Sequence, residues 1–292
     1  MARVKNHPVA ALVVAVVRLW TFRLGFPGCG RLIVIVKRLF PGIQRYYLEY
    51  PGLGRCDIAF PDWPWLRQQT LGPKEEKSLL ERLTLLVPPS AVIWDVGANS
   101  GYFAAELLLR LNPARLELFE PNQSHRRTLE SLAGLDRRVG VHMIGLSDTA
   151  TDCILYVPGK EGSGSTCASV NADLVSNAAE LHEMSVRLEV ADAVLDKGLV
   201  GAPDLVVIDV EGHEASVIAG MTGILRQYRP VIVLEHIFIS DDTLRQMTPE
   251  EYTIFTVCDD DARMMPGIHR DLGHNSVLLP RGMSPDGNRE TE

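Results

Sequence analysis

The chain has 292 residues, of which 46% are hydrophobic and 23% charged, and its net charge is −8 at neutral pH. That length accommodates one large α/β domain with an appendage and a sizeable core, while the acidic balance argues against a general nucleic-acid binder. Five scattered cysteines with no C-x-x-C argue against a disulfide framework and fit reduced thiols in a cytoplasm.

The charge is unevenly spread. Residues 1–50 hold eight Lys/Arg and one acid, a net of +7, so the other 242 residues carry −15. Two apolar runs lie in this basic head, VAALVVAVV (9–17) before Arg18 and LIVIV (32–36) before Lys37 and Arg38. Neither reaches the roughly 20 apolar residues that span a bilayer, and no small-residue cleavage site follows the first. Two readings stay open for residues 8–40. One is a segment lying in a membrane interface, anchored by Trp20, Phe22 and Phe26, with its arginines near lipid phosphates. The other is a helical extension packed on the domain or on a second subunit of a homo-oligomer. The expected location is the cytoplasm, and the inner membrane face under the first reading. Residues 41–70, rich in Pro, Gly and aromatics, read as irregular structure with short strands. The main domain then runs from 71 to 280, and residues 281–292 read as a disordered tail.

From residue 73 the pattern becomes regular. PKEEKSLLERLTLL has a proline near its start, acids in the first turn and leucines at helical spacing. AVIWD is a strand, YFAAELLLRL a helix, RLELFE a strand and QSHRRTLESLA a helix. VGVHMIG is a strand, and DCILYVP is an edge strand or hairpin. Residues 159–183 open Gly/Ser-rich and without period, which predicts a mobile loop near the substrate. DLVVIDV (204–210) is a buried strand, HEASVIAGMTGIL a helix, and RPVIVLEH, YTIFTV and NSVLLP are strands. Apolar strands alternating with helices predict a mostly parallel, doubly wound, Rossmann-like sheet covered on both faces.

In such sheets ligands sit beyond the carboxyl ends of the strands, where Asp95, Glu120 and Asp209 fall. The first loop, D-V-G-A-N-S-G, runs from Asp95 through Gly97 and Asn99 to Gly101. A dinucleotide fingerprint needs G-x-G-x-x-G. Here the glycines stand four apart, and a carboxylate that would repel a diphosphate precedes them. An acid beside close-approach backbone suits a ligand with a positive amine and no phosphate, such as S-adenosylmethionine. Glu120, at the end of the next strand, can accept bonds from ribose hydroxyls. A competing explanation is that Gly97 and Gly101 only serve a tight turn.

The stretches D-V-G-A-N-S-G-Y-F, L-F-E-P-N, G-L-S-D (145–148) and D-V-E-G-H-E (209–214) resemble the FkbM-type S-adenosylmethionine-dependent methyltransferases, over about residues 75–280. A further acid of the family is met at Glu235. The family's T-L-D segment is altered to V-A-D, keeping Asp192 but placing Ala191 where Leu is usual, which reads as a packing change. The resemblance implies methyl transfer to an oxygen of a small-molecule, glycan or lipid-linked acceptor. It also implies that Asp95, Gly97 and Asn99 hold the methionine part and Glu120 the ribose, with Ser147 and Asp148 near the adenine.

A hydroxyl near neutral pH needs a base, and Asp209, Glu211 and His213 lie together just past a strand. Asp209 or Glu211 orients the acceptor, and His213 or Glu211 takes its proton. His213 has a second reading as a helix-start residue bonding backbone, and Glu214 one as a favourable first-turn acid. Asp209, Glu211, His213, Glu235 and His236 are of metal-ligand type, but no tight spacing demands an ion and none is expected. Nucleic acid is not expected as substrate, because neither an [N/D]-P-P-[Y/F] loop nor a Pro-Cys nucleophile is present. The alternative functions are a non-catalytic, membrane-associated S-adenosylmethionine-binding module and, against the loop spacing, a dinucleotide oxidoreductase.

Overall fold

The computed structural model describes residues 3–5, 45–50, 53–59, 74–158, 168–176, 178 and 180–287. Within it an eight-stranded sheet runs β13-β12-β14-β11-β10-β4-β5-β6. Its strands are β4 (Val92–Val96), β5 (Arg115–Phe119), β6 (Val139–His142), β10 (Leu205–Ile208), β11 (Val231–Glu235), β12 (Tyr252–Val257), β13 (Met264–Pro266) and β14 (Asn275–Pro280). The strands from β11 through β6 are mutually parallel, and β14 is antiparallel to both β11 and β12. The chain winds outward from β4 through β5 to β6 and then returns to β10 on the other side of β4. The reversal point therefore lies between β4 and β10, where such sheets open a crevice for ligand.

The core explains why these strands are apolar throughout. Along β10, Leu205 and Val207 enter one buried cluster with Leu83, Leu107, Leu118 and Leu129, while Val206 and Ile208 enter another with Trp94, Val217, Ile224 and Leu244. Alternate side chains point to opposite faces of a strand, so a strand covered on both faces has no polar side to show. Helices α1 (Lys74–Leu86), α2 (Tyr102–Leu111) and α3 (Arg126–Leu135) supply the first cluster. Helices α5 (Ala191–Asp196), α6 (Glu214–Ala219), α7 (Thr222–Gln227) and α8 (Asp241–Met247) supply the second.

A second, three-stranded sheet is ordered β7-β8-β9 in chain sequence but β7-β9-β8 in space, with β7 Gly145–Ser147, β8 Thr151–Pro158 and β9 Leu181–Val190. The expected edge strand at 152–158 is β8, paired antiparallel to β9 here and not to the main sheet. Strand β9 itself has little apolar signal, because its first residues alternate between exposed and half-buried.

Three expectations need correction. HEASVIAGMTGIL is two helices, α6 and α7, parted at Gly220, where an added Cβ would lie 1.9 Å from the Ser147 carbonyl. The 159–183 stretch is structured in its described part: Ser169 bridges to Tyr156 by two backbone bonds, and Ala172–Val175 forms a one-turn helix, α4. The tail expected to be disordered from 281 instead packs on the domain as far as 287. Met283 touches the core, and the Arg82 guanidinium donates to the Pro285 carbonyl. Ala191 is fully buried, in keeping with a packing change. Asp192 caps the start of α7 by accepting from the Gly223 and Ile224 amides.

Residues 8–40, read either as a membrane-interface segment or as a packed helical extension, lie outside the described residues. Around them, Arg3–Lys5 (β1), Arg45–Tyr50 (β2) and Gly54–Ala59 (β3) form a small antiparallel sheet. Among the described residues no helix is long and apolar enough to cross a membrane.

Candidate active site

The loops after β4, β5 and β10 meet around a cavity of about 660 Å³, counting its mouth. Gly97, Asn99, Glu120, Asp209, Glu211 and His213 line it, with Phe119 and Asn122 beside them. Leu155 and Leu188 of the second sheet also line it, with Ala168 and Val170 on either side of the Ser169 bridge to that sheet.

Each loop is held by its own chain. The amides of Gly97 and Ala98 both donate to the Phe119 carbonyl, and the Asp209 amide donates to Val96. Gly97 has φ 91°, and a Cβ there would lie 1.8 Å from the Asp209 carbonyl oxygen. The close approach that demands glycine at 97 is therefore made by protein backbone, where strands β4 and β10 end together. Gly101, also left-handed, faces Leu129 and Leu132 and not the cavity. Asn99 is left-handed too, at φ 51°, a conformation Asn tolerates better than most residues. Its amide thereby reaches Glu120 Oε2 at 2.7 Å.

Glu120 is buried. It accepts from the Asn99 amide through one oxygen and from the Asn122 amide through the other, at 2.7 Å each. Each carboxylate oxygen has a further lone pair to offer a hydroxyl. Asn122 was not singled out from the sequence. Its Oδ1 accepts from Ser124 N, which fixes the amide orientation, and its buried Nδ2 has no partner. The hint was its place just after the acid in L-F-E-P-N, where an Asx residue caps the short 3₁₀ turn Gln123–His125.

Asp95 lies just behind the cavity lining, 3% exposed, and its Oδ2 has no partner. Burial foremost, then the charges of Asp209 and Glu120, push its pKa up to about 7. Burial pushes Glu120 up to about 7 as well, against the pull of its two amide bonds. Glu211 rises to about 8 through burial and then the charges of Asp209 and Glu214. Asp209 opens onto the cavity beside Glu235 at the end of neighbouring β11; burial and neighbouring acidic charge raise both, Glu235 the further. No basic side chain contributes to the shift of any of these acids. Among the described residues no three acids, histidines or cysteines converge with metal-holding geometry.

Beyond β10 the loop is again strained. Glu211 is left-handed at φ 51° and Gly212 at φ 96°. Glu214, buried at the start of α6, reaches back to the Gly212 amide at 3.1 Å, and Ser169 donates to the Glu211 carbonyl at 2.8 Å. His213 makes no side-chain cap bond to α6. Its Nε2 lies 2.9 Å from Ser147 Oγ, and that hydroxyl is 3.1 Å from Asp148 Oδ1. Ser147 and Asp148 thus meet His213, while their neighbours Gly145 and Leu146 line the cavity.

The family model described as "Methyltransferase FkbM domain" matches residues 95–261. The chain belongs to the FkbM methyltransferase family. Residues 95–261 are its methyltransferase domain. Among curated proteins it is 31% identical over 163 residues to the hexuronic acid methyltransferase AglP of Haloferax volcanii, covering 54% of this chain and 62% of that one. It is 30% identical over 183 residues to the AMB antimetabolite synthetase AmbE of Pseudomonas aeruginosa, covering 52% of this chain and 9% of that one. The chain thus spans less than two thirds of either relative. A solved FkbM methyltransferase from Methylobacillus flagellatus KT superposes with TM-score 0.43 at 17% identity, over 65% of this chain and 43% of that one.

The residues present fit the cofactor. Buried acids without a cation, and the unpartnered Asp95 oxygen and Asn122 amide, leave bonds for a cationic ligand that also carries hydroxyls. The pH dependence of binding follows. A cation favours the ionised acids, so binding releases protons wherever they are still protonated in the free protein. With Asp95 and Glu120 raised to about 7, affinity for S-adenosylhomocysteine should rise at least about tenfold from pH 6 to pH 8. Calorimetry in buffers of different ionisation enthalpy measures both affinity and proton release. A flat profile without release would show that these acids do not meet the ligand.

Proposed function

We propose that this enzyme methylates a hydroxyl oxygen of a sugar-type acceptor, with Glu211 and His213 as the proton-handling groups. The observation that carries the reading is the placing of these two groups on the cavity wall that the loop after β10 provides. Glu211 is lifted to about 8 by burial and neighbouring charge, and His213 is kept below its ordinary value, mainly by burial. A neutral imidazole and a carboxyl that titrates near neutrality are both suited to accept a proton at working pH. The similarity to a protein named hexuronic acid methyltransferase supports an acceptor of the sugar class.

When bound, S-adenosylmethionine supplies a methyl on a sulfonium, already on a good leaving group. What remains for the chain is alignment, deprotonation and exclusion of water. Alignment alone can contribute several kcal/mol, up to about 7–11. In this reading Glu120 and Asn122 hold the cofactor, the Glu211–His213 loop meets the acceptor, and Leu155, Val170 and Leu188 supply an apolar wall. Glu211 or His213 would take the proton of the acceptor hydroxyl as its oxygen becomes methylated.

The test is a panel of hexose and hexuronic acid glycosides with purified enzyme and S-adenosylmethionine. Release of S-adenosylhomocysteine is followed, and the new methyl is located by NMR. Turnover on a sugar hydroxyl is expected. Methylation on nitrogen or carbon would overturn the reading. Tight cofactor binding without turnover on any acceptor, together with alanine tolerance at Asp209 and Glu211, would favour a non-catalytic binding module.

A further inference from the structure

We infer that Ser147 and Asp148 are positioning residues that fix the tautomer of His213, so that Nδ1 is the nitrogen free to accept the acceptor's proton. The inference rests on the reading of His213 as a proton-handling group and adds two residues and one atom to it.

Asp148 is an exposed carboxylate and has only acceptors to offer. Ser147 Oγ, 3.1 Å from Asp148 Oδ1, has a single hydrogen and gives it there. Its remaining lone pairs face His213 Nε2 at 2.9 Å. In that contact the imidazole must be the donor, so neutral His213 carries its hydrogen on Nε2 and its lone pair on Nδ1. The chain of three spans 66 residues of sequence, and each link is held by the fold. Ser147 is 3% exposed at the end of β7. Its carbonyl is pressed against Gly220, where α6 ends and no larger residue fits. His213 stands at the start of the same helix and makes no cap bond that would turn its ring elsewhere. A ring fixed at Nε2 cannot flip to present that nitrogen instead.

The observable is the tautomer itself. Long-range ¹H–¹⁵N correlation on imidazole-labelled enzyme saturated with S-adenosylhomocysteine should show His213 as the Nε2–H form in the native protein. Ser147→Ala removes the acceptor. It should give a mixture of tautomers and lower kcat about tenfold or more. Ser147→Thr keeps the hydroxyl and should restore both the single tautomer and turnover. Asp148→Asn should also mix the tautomers, because the Ser147 hydrogen is then free to turn toward the ring. A native Nδ1–H form, or a single unchanged tautomer with native kcat in Ser147→Ala, would overturn the inference. Its failure is separable from that of the base assignment: His213→Gln with native kcat would remove the base, whereas loss of turnover in His213→Gln beside an indifferent Ser147→Ala removes only the positioning pair. If Ser147→Ala does not fold, Asp148→Asn, altered only at an exposed side chain, decides by the same spectrum.

Discussion

Asp95→Asn should weaken S-adenosylhomocysteine binding by about 100-fold and yet raise the melting temperature of the ligand-free protein. Asp95 is 3% exposed, and one of its oxygens has no partner. Burial and the charges of Asp209 and Glu120 hold its pKa at about 7, well above the ordinary carboxylate range. Without ligand, a charged Asp95 is therefore a cost to the fold. Asn keeps the shape and removes that cost. With ligand, the balance reverses. A charge-assisted hydrogen bond to an ammonium is worth about 1.5–3 kcal/mol, which is roughly one to two decades in affinity, and the loss of Coulomb attraction in a buried site takes the effect to the upper end. Calorimetry and thermal unfolding at pH 8 measure the two halves on one sample. A raised melting temperature shows that the variant is folded, so native affinity alongside it would mean that the ammonium lies elsewhere.

What could be read from the sequence was what depends on local periodicity. IWDV, LVVI and VIVLE are apolar on both sides of the strand, and that signal is the sheet's two covered faces written along the chain. The acids at the strand ends, Asp95, Glu120 and Asp209, followed from the same reading. The contacts that give the site its chemistry were not legible, because they join segments far apart in the chain. His213 meets Ser147 across 66 residues, and Asp209 meets Glu235 because β10 and β11 are neighbours in register. Spacing along a sequence carries no information about either. Gly97 shows the limit most plainly. Its need for a bare backbone was visible, but the partner that imposes it is the Asp209 carbonyl, and the competing explanation of a tight turn was closer to the geometry. Strand β9 escaped notice because a half-exposed strand with Arg, Glu and Ser on its open side has a weak apolar rhythm.

Glu211→Gln should lower kcat by about 10²–10⁴, leave affinity for S-adenosylhomocysteine near native, and stabilise the ligand-free protein by an amount that grows with pH. Glu211 holds a left-handed backbone that costs a non-glycine residue about 1–2 kcal/mol, and it sits among Asp209, Glu214 and Glu235, which repel its charge. A residue kept under strain and repulsion on a cavity wall is doing something other than holding the fold together. Gln preserves backbone and volume, so the strain is common to both proteins and cancels, and only ionisation separates them. The sign follows from the raised value. In the unfolded chain Glu211 ionises near 4.5, and in the folded protein near 8. Below about 4.5 it is neutral in both states, and the variant gains nothing. Between 4.5 and 8 the unfolded chain is favoured by its ionisation while the folded protein is not, so native stability falls with rising pH and the variant does not share that fall. Above about 8 both states are ionised and the difference is constant. Melting temperatures of the two proteins should therefore coincide near pH 4.5 and diverge up to pH 8. A constant offset across that range would trace the effect to packing, and unchanged kcat would take Glu211 out of the reaction and leave His213 as the base.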